Sequence, residues 1–430
     1  MLNDKSQRSY LKAKQIGRNL IVVAGVIKWM NWGGIAFNMN NGNQGQSSRR
    51  LLEVDFFRGA AILVIFWNHL LLLVQTAGSL SRSPLKIHYG FSDTATVFVF
   101  LSGFVSGIVY DKHLVEKGFL KAQLKALRRA GQIYGAQLLT LGILVACSFL
   151  WRDKASLDPL HRQLEDFSRH PISETLGLIS LQSCLDYVDI LPFYIVILVF
   201  VPLVLVGFRK KPTLTLLLSA SIYISMQVLK ALNFNLWMPD WFVNPFAWQF
   251  LFILGLYLGF RWRNRSSTIP RSTILAFLAG AVTLFSIFEI PWLQARLRAG
   301  IPGLAFIHVV PLAIPWIQKE LLEPVVLLHF ASVAYLTWMA APKIQGLLRK
   351  SIARPIVISG QHSLFLYCLA TILDYVLSHV VVQAGGAAWT FVVAGLTGWC
   401  LIVGTPMILW SRLSQERMPS PTQASSASSS

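Results

Sequence analysis

Apolar residues form ten stretches that are each long enough, at about 20 residues, to cross the ~30 Å hydrocarbon core of a bilayer. Polar and charged residues gather between these stretches. A chain in lipid must satisfy every backbone N–H and C=O internally, so such stretches form helices. The pattern predicts an all-α polytopic membrane protein, a bundle of about ten transmembrane helices. The predicted spans begin near Phe57, Phe91, Ile133, Ile190, Thr213, Phe246, Thr273, Val325, Ile356 and Ala387.

Two other apolar segments do not fit a complete span. Leu20–Met30 is too short and contains Lys28, and Ile301–Ile317 contains three prolines. Because proline removes a helix hydrogen bond and kinks the chain, we expect the second segment to be re-entrant or interfacial.

Lys and Arg are distributed unevenly over the connecting segments. With the N-terminus in the cytoplasm, the inner segments hold 27 of the 38 Lys and Arg residues, and the outer loops hold 10. Cytoplasmic segments of membrane proteins are enriched in these residues. The distribution predicts an even number of spans with both termini in the cytoplasm. The remaining cation, Arg58, lies at the start of the first span.

The composition excludes several classes of protein. Hydrophobic residues make up 54% of the chain and charged residues only 13%, whereas soluble domains contain about 25% charged residues. The formal net charge of +19 follows from membrane topology, so no nucleic-acid partner is expected. The four cysteines lack paired spacing, and we interpret them as packing residues rather than a disulfide framework or a metal site.

The two ends of the chain differ from its centre. Residues 1–50 are basic and then rich in Asn, Gly, Gln and Ser, which predicts a disordered cytoplasmic segment. Met1 and Met39 are both candidate starts, and the sequence does not choose between them. Residues 51–411 form the predicted membrane domain, and 412–430 form a Ser-rich tail that we expect to be disordered.

Ionisable groups inside a span are rare and costly, and therefore point to function. Arg58 and His69 are eleven residues apart, which places them on one helix face about 16 Å apart along the axis. Asp55 is within ion-pairing reach of Arg58. In one interpretation, Arg58 extends to lipid headgroups and His69 bonds a neighbouring helix. In the other, His69 is a general base that takes a proton from a hydroxyl, and Arg58 attracts an anionic donor from the cytoplasm.

Other polar groups are weaker candidates for a site. Asp93 begins the second span, where its carboxylate either caps the helix or meets an acceptor. Inner-loop cations either serve topology or bind an anionic donor; the candidates are Arg128 and Arg129. The remaining candidates are Tyr134, Asp189, Trp248, Lys319, His329 and His362. No metal-ligand spacing is present in the sequence.

The motifs taken together resemble the OpgC family of bacterial inner-membrane proteins. The resemblance extends from about Leu51 to Trp410. It is carried by Asp55-Phe-Phe-Arg58-Gly59, Gly90-Phe-Ser-Asp93, Phe98-Val-Phe-Leu-Ser-Gly103, Arg128-Arg129 through Tyr134, Asp189-Ile-Leu-Pro-Phe-Tyr194, Asn244-Pro-Phe-Ala-Trp-Gln249, Leu327-Leu-His-Phe330 and Gly360-Gln-His-Ser363.

This resemblance implies a membrane acyltransferase related to the type-three acyltransferase superfamily, whose first span carries an Arg and a His at the spacing of Arg58 and His69. It implies succinylation of a periplasmic glucan. The co-substrate would be a cytoplasmic acyl-CoA such as succinyl-CoA, with no bound cofactor. The implied location is the bacterial inner membrane.

Two positions depart from the family pattern. Thr96 replaces an acidic residue that precedes the Phe-Val-Phe-Leu-Ser-Gly run, and Gln137 stands where a His is common. Loss of a carboxylate beside His69 would remove a partner for the imidazole, which Asp93 would have to replace. These departures leave open a family member without catalytic activity. The many spans, with an Arg and a His in the membrane, also leave open a transporter of glycan or lipid.

Overall fold

The computed structural model describes most of the chain between residues 52 and 415. The described residues are 52–80, 85–87, 90–151, 169–182, 184–232, 234, 241–264, 269–289, 319–348 and 350–415. The basic N-terminal segment and the proline-containing segment at 301–317 lie outside these residues, as does the C-terminal tail beyond residue 415.

The described residues form helices and no strands. Twelve α-helices are seen in this part of the chain: α1 Leu52–Thr76, α2 Thr94–Lys117, α3 Phe119–Leu150, α4 Pro171–Ile179, α5 Ile190–Lys210, α6 Pro212–Ala231, α7 Pro245–Arg263, α8 Thr273–Phe285, α9 Pro324–Leu348, α10 Arg354–Gln361, α11 Ser363–Gln383 and α12 Ala388–Gln415. Short 3₁₀ turns follow α8 and precede α9 and α10. The predicted all-α class is confirmed.

Eight of these helices are long and apolar enough to cross a membrane; they are α1, α2, α3, α5, α6, α9, α11 and α12. The sixth predicted span corresponds to α7, which has 19 residues. The seventh corresponds to α8, which has 13 described residues. The protein is thus a multi-pass membrane protein, with eight rather than ten described helices that meet the length and hydropathy of a span.

The ninth predicted span is divided into two helices. Its predicted start at Ile356 lies inside the short helix α10, and α11 begins at Ser363. His362 between them has φ −107° and ψ 29°, which differs from helical geometry. The break places the first turn of α11 beside α1.

Two pairs of glycines allow α2 and α7 to approach very closely. Gly103 and Gly107 of α2 lie against the backbone of α7, and Gly255 and Gly259 of α7 lie against the backbone of α2. A Cβ at any of the four would collide with a backbone carbonyl oxygen of the other helix. Small residues four apart commonly produce such contacts in membranes. These four glycines therefore set the distance between α2 and α7.

A buried carboxylate joins the ends of three helices. Asp111 of α2 is fully buried and accepts hydrogen bonds from Arg209 Nε at 2.9 Å and Nη2 at 2.6 Å. Arg263 Nε lies 3.2 Å from its other oxygen, to which Asn264 Nδ2 also donates at 3.2 Å. The C-terminal ends of α2, α5 and α7 therefore lie on the same side of the bundle, as their positions in the predicted topology require.

Candidate active site

Two polar pairs join α1 to α11. Arg58 Nη2 donates to Ser363 Oγ at 2.6 Å. Farther along both helices, His69 Nδ1 lies 3.7 Å from Asp374 Oδ2. The residues of each helix are eleven apart, so α1 and α11 run parallel, and the face predicted for Arg58 and His69 is matched by a polar face on α11.

The His69–Asp374 pair is nearly removed from solvent. The Asp374 side chain is 1% exposed and that of His69 is 21% exposed. Neither oxygen of Asp374 has a hydrogen-bond partner among the described residues, and the same holds for the buried Nδ1 of His69. The accessible part of the imidazole therefore lies away from Nδ1. A proton on Nδ1 would point towards Asp374 and leave Nε2 as the basic nitrogen, which is the arrangement of a general base with an orienting carboxylate.

The loop before α5 places an aromatic ring against His69. The ring centroids of Tyr187 and His69 are 4.3 Å apart at an interplanar angle of 36°. Tyr187 has φ 67°, a left-handed conformation that is uncommon for a bulky residue and often marks a functional position. The loop is fixed by α11, because Tyr367 Oη donates to Tyr187 O at 2.5 Å and Tyr375 Oη donates to Asp186 O at 3.0 Å.

Arg58 lies among aromatic side chains near the other end of the polar face. Its guanidinium carbon is 5.5 Å from the centre of the Phe98 ring. Phe98 also contacts Tyr367, at 6.3 Å between centroids, and Tyr194, at 6.1 Å. Asp55 interacts electrostatically with Arg58, in agreement with their three-residue spacing. The cation is thus held inside the bundle by α1, α2 and α11.

The two candidate arginines on α3 have different surroundings. Arg128 is exposed, whereas Arg129 is partly buried and donates to Gln132 Oε1 at 3.2 Å. Arg129 also interacts electrostatically with Arg58 and with Tyr110. Two guanidiniums therefore lie within electrostatic range inside the bundle. Their mutual repulsion would be relieved by an anionic ligand.

Asp93 and Thr96 occupy the start of α2. Asp93 caps the helix, since its carboxylate accepts the Thr96 N–H at 3.2 Å. The fully buried Thr96 donates its hydroxyl to Asp93 O at 2.6 Å. The carboxylate beside His69 comes from Asp374 on α11. Replacement of the family's acidic residue by Thr96 therefore does not leave His69 without a carboxylate.

Asp189 precedes α5 and is buried at the end of the loop that carries Tyr187. Burial raises the pKa of its carboxyl from 3.8 to about 6, although backbone hydrogen bonds to Val243 and Phe242 act in the opposite direction. One carboxylate oxygen has no hydrogen-bond partner among the described residues. Asp189 therefore connects the loop to the segment that leads into α7.

The remaining candidates contact other parts of the bundle. Tyr134 Oη donates to Ile179 O of α4 at 2.9 Å. The buried His329 accepts the Ser92 N–H at 3.1 Å. Trp248 Nε1 donates to Glu320 O at 2.9 Å, in the 3₁₀ turn that begins at Lys319. These contacts fix the positions of helices and their connecting segments relative to one another.

His362 lies at the junction of α10 and α11, directly before Ser363. The next residue, Ser363, accepts the hydrogen bond from Arg58. Among the described residues, no group of three or more His, Cys, Asp or Glu side chains is arranged to hold a metal ion.

Sequence reasoning missed three residues that the fold brings to this site: Asp374, Ser363 and Tyr187. Asp374 had a usable signal, because it is an ionisable residue within the apolar helix α11, and the same rule that selected His69 applies to it. Tyr187 had no comparable signal, because loop residues carry no periodicity that predicts their contacts.

The geometry agrees with a match to a family model. The model described as OpgC protein matches residues 50–412, which is most of the 430-residue chain. The chain belongs to the OpgC family. The match includes every residue of the two polar pairs, and membership suggests a membrane acyltransferase-like role in glucan modification. No curated protein and no solved structure matches this OpgC family member.

Proposed function

We propose that this OpgC family member transfers an acyl group, of the succinyl type, from a cytoplasmic acyl-CoA to a hydroxyl of a periplasmic glucan or another envelope glycan. The observation that carries the proposal is the His69–Asp374 pair, since a buried imidazole with an orienting carboxylate is suited to deprotonating a hydroxyl. The bacterial inner membrane would be the location, because it separates the donor from the acceptor.

The reaction requires a proton acceptor and a leaving thiolate. His69 Nε2 removes the proton of the acceptor hydroxyl while its oxygen attacks the thioester carbonyl carbon. The C–S bond then breaks, and the imidazolium returns the proton to the CoA sulfur. An ester and free CoA are formed, so all atoms are accounted for. Asp374 stabilises the imidazolium and keeps Nε2 directed at the acceptor.

Arg58 is suited to the polyanionic end of the donor. Its guanidinium lies about 16 Å from His69 along α1, and Arg129 is within electrostatic range of it. Arginine binds phosphate oxygens through a planar fork of donors. A CoA phosphate near Arg58 would allow the acyl arm to extend along the polar face towards His69.

The test compares exported glucan from cells that carry wild-type protein, His69→Ala or His170→Ala. His170 is an exposed histidine directly before α4, so its variant serves as a matched control. We expect acyl groups, measured by mass spectrometry, to disappear with His69→Ala and to persist with His170→Ala, at equal membrane levels of the three proteins. Full acylation by His69→Ala would overturn the mechanism.

Two other results would direct attention to the alternatives. Export that fails in a deletion strain while the residual glucan keeps its acyl groups would indicate transport. A purified wild-type protein that binds no acyl-CoA by calorimetry would indicate a family member without catalytic activity. Both results contradict the proposed acyl transfer.

A further inference from the structure

Gln137 is a completely buried polar residue on α3. Its relative exposure is 0%, and neither Nε2 nor Oε1 has a hydrogen-bond partner among the residues that the structure describes. A buried amide without partners is destabilising, and each such group in a folded protein calls for an explanation. The carboxamide therefore has one donor group and one acceptor atom available for a ligand.

The position of Gln137 relates it to the two polar pairs. Three residues farther along α3, the Thr140 side chain lies beside that of Cys368, where α3 packs against α11. Cys368 lies on α11 between Ser363 and Asp374. Gln137 therefore lies at a depth between the Arg58–Ser363 pair and the His69–Asp374 pair. Gln137 and Arg129 are eight residues apart on α3, so their positions are separated by about 12 Å along the helix axis.

A secondary amide is the group most complementary to a carboxamide. It accepts from Nε2 through its carbonyl oxygen and donates to Oε1 through its N–H. The pantetheine arm of CoA has a thioester at one end, a phosphate at the other and two secondary amides between them. This order matches the order of His69, Gln137 and the two guanidiniums in the bundle.

We propose that the Gln137 carboxamide binds an amide of the pantetheine arm of the thioester donor. The inference rests on the proposed acyl transfer and adds to it a residue that positions the arm. The same arm also occurs on acyl-carrier proteins, so the shared chemistry is acyl-pantetheine. Gln137 would contribute to affinity and to the depth at which the thioester is held, while His69 performs the proton transfer.

The experiment measures binding and transfer with two probes, succinyl-CoA and S-succinyl-pantetheine, in purified protein. Two variants remove the amide, Gln137→Leu and the closely isosteric Gln137→Met. We expect each to raise KM about tenfold for both probes, as the loss of two hydrogen bonds predicts, with a smaller effect on kcat. Arg129→Gln is expected to weaken the binding of succinyl-CoA but not that of S-succinyl-pantetheine. This difference distinguishes recognition of the CoA phosphates from recognition of the pantetheine arm.

The matched control is Gln123→Leu on the same helix. Gln123 Nε2 donates to Val199 O at 3.0 Å, so the control removes an amide that already has a hydrogen-bond partner within the protein. In the absence of donor we expect Gln123→Leu to lower the thermal unfolding temperature. Gln137→Leu is expected to leave that temperature unchanged or to raise it, because it removes an unsatisfied buried group.

Three results would overturn the inference in distinguishable ways. Unchanged KM for both probes in the Gln137 variants would exclude the contact between Gln137 and the donor, and would leave the proposed function intact. Loss of folding or a lower unfolding temperature in both Gln137 variants would show that the amide is bound within the protein. Failure of the wild-type protein to bind either probe would overturn the proposed function, and the inference with it.

Discussion

Asp374 Oδ2 lies 3.7 Å from His69 Nδ1, although 305 residues separate the two in the chain. The parallel packing of α1 and α11 brings them together. Eleven residues earlier on both helices, the Arg58–Ser363 hydrogen bond sets their register. A hydrogen bond from Nδ1 to a buried carboxylate gives an imidazole a defined tautomer and orientation, and closure of this 3.7 Å gap would provide it. The pair gives α11 a direct part in the proposed chemistry.

Replacement of Asp374 by Asn is expected to lower kcat by roughly 10²–10⁴-fold with little change in KM, because the amide no longer fixes the imidazole in the productive tautomer. The measurement is acyl transfer by purified protein at saturating donor. Thr371→Val is the control, since the Thr371 hydroxyl bonds Tyr367 O within α11 at 3.0 Å. A kcat for Asp374→Asn equal to that of the control would exclude a role for the carboxylate.

Replacement of Gly103 or Gly255 by Ala is expected to destabilise the protein by about 1–3 kcal/mol, because the added methyl group forces α2 and α7 apart. Gly131 and Gly142 of α3 provide controls, as a Cβ at either position meets no atom within 4 Å. Their Ala variants are expected to be neutral or to stabilise by up to about 1 kcal/mol through helix propensity. Denaturation in detergent would measure both effects, and equal destabilisation of all four variants would contradict the proposed contact.

Replacement of Asp111 by Ala is expected to cost about 3–5 kcal/mol, because Arg209 and Arg263 lose a fully buried carboxylate partner. Glu116→Gln is the control, since Glu116 and Lys112 form an exposed pair on the same helix at 3.9 Å. Exposed pairs contribute less than about 1 kcal/mol. Unfolding temperatures that fall equally in both variants would show that burial of Asp111 has no special effect.

Protonation of Asp189 is expected to make stability depend on pH. Burial raises the pKa of this carboxyl from 3.8 to about 6, so the folded state binds the proton more tightly than the unfolded state. The free energy of unfolding then decreases as pH rises from about 4 to about 6, and is constant above that interval. A difference of about two pKa units corresponds to a loss on the order of 3 kcal/mol.

Asp189→Asn isolates this contribution. The variant is expected to show a flatter dependence of unfolding temperature on pH between 4 and 6.5 than the wild-type protein. Asp186 acts in the same direction, because partial burial raises the pKa of its carboxyl, so some dependence should persist. An identical pH profile for the variant and the wild type would contradict the assignment to Asp189.

The sequence by itself determined the class of the fold and one half of the candidate site. Long apolar stretches must be helical in lipid, and an eleven-residue spacing places Arg58 and His69 on one helix face whatever the helix packs against. These conclusions depend on local geometry alone. Eight helices with the length and hydropathy of a span confirm the class.

Only the tertiary structure decided which groups complete the site. Asp374 and Ser363 reach the polar face because α11 packs beside α1 in one particular register, and Gln137 lies on α3, which packs against α11. That register depends on contacts between distant helices, such as the Arg58–Ser363 bond and the Thr140–Cys368 contact. A one-dimensional pattern contains the period of each helix but not the rotation and depth of one helix against another. For that reason the sequence identified the histidine, and the fold identified its carboxylate.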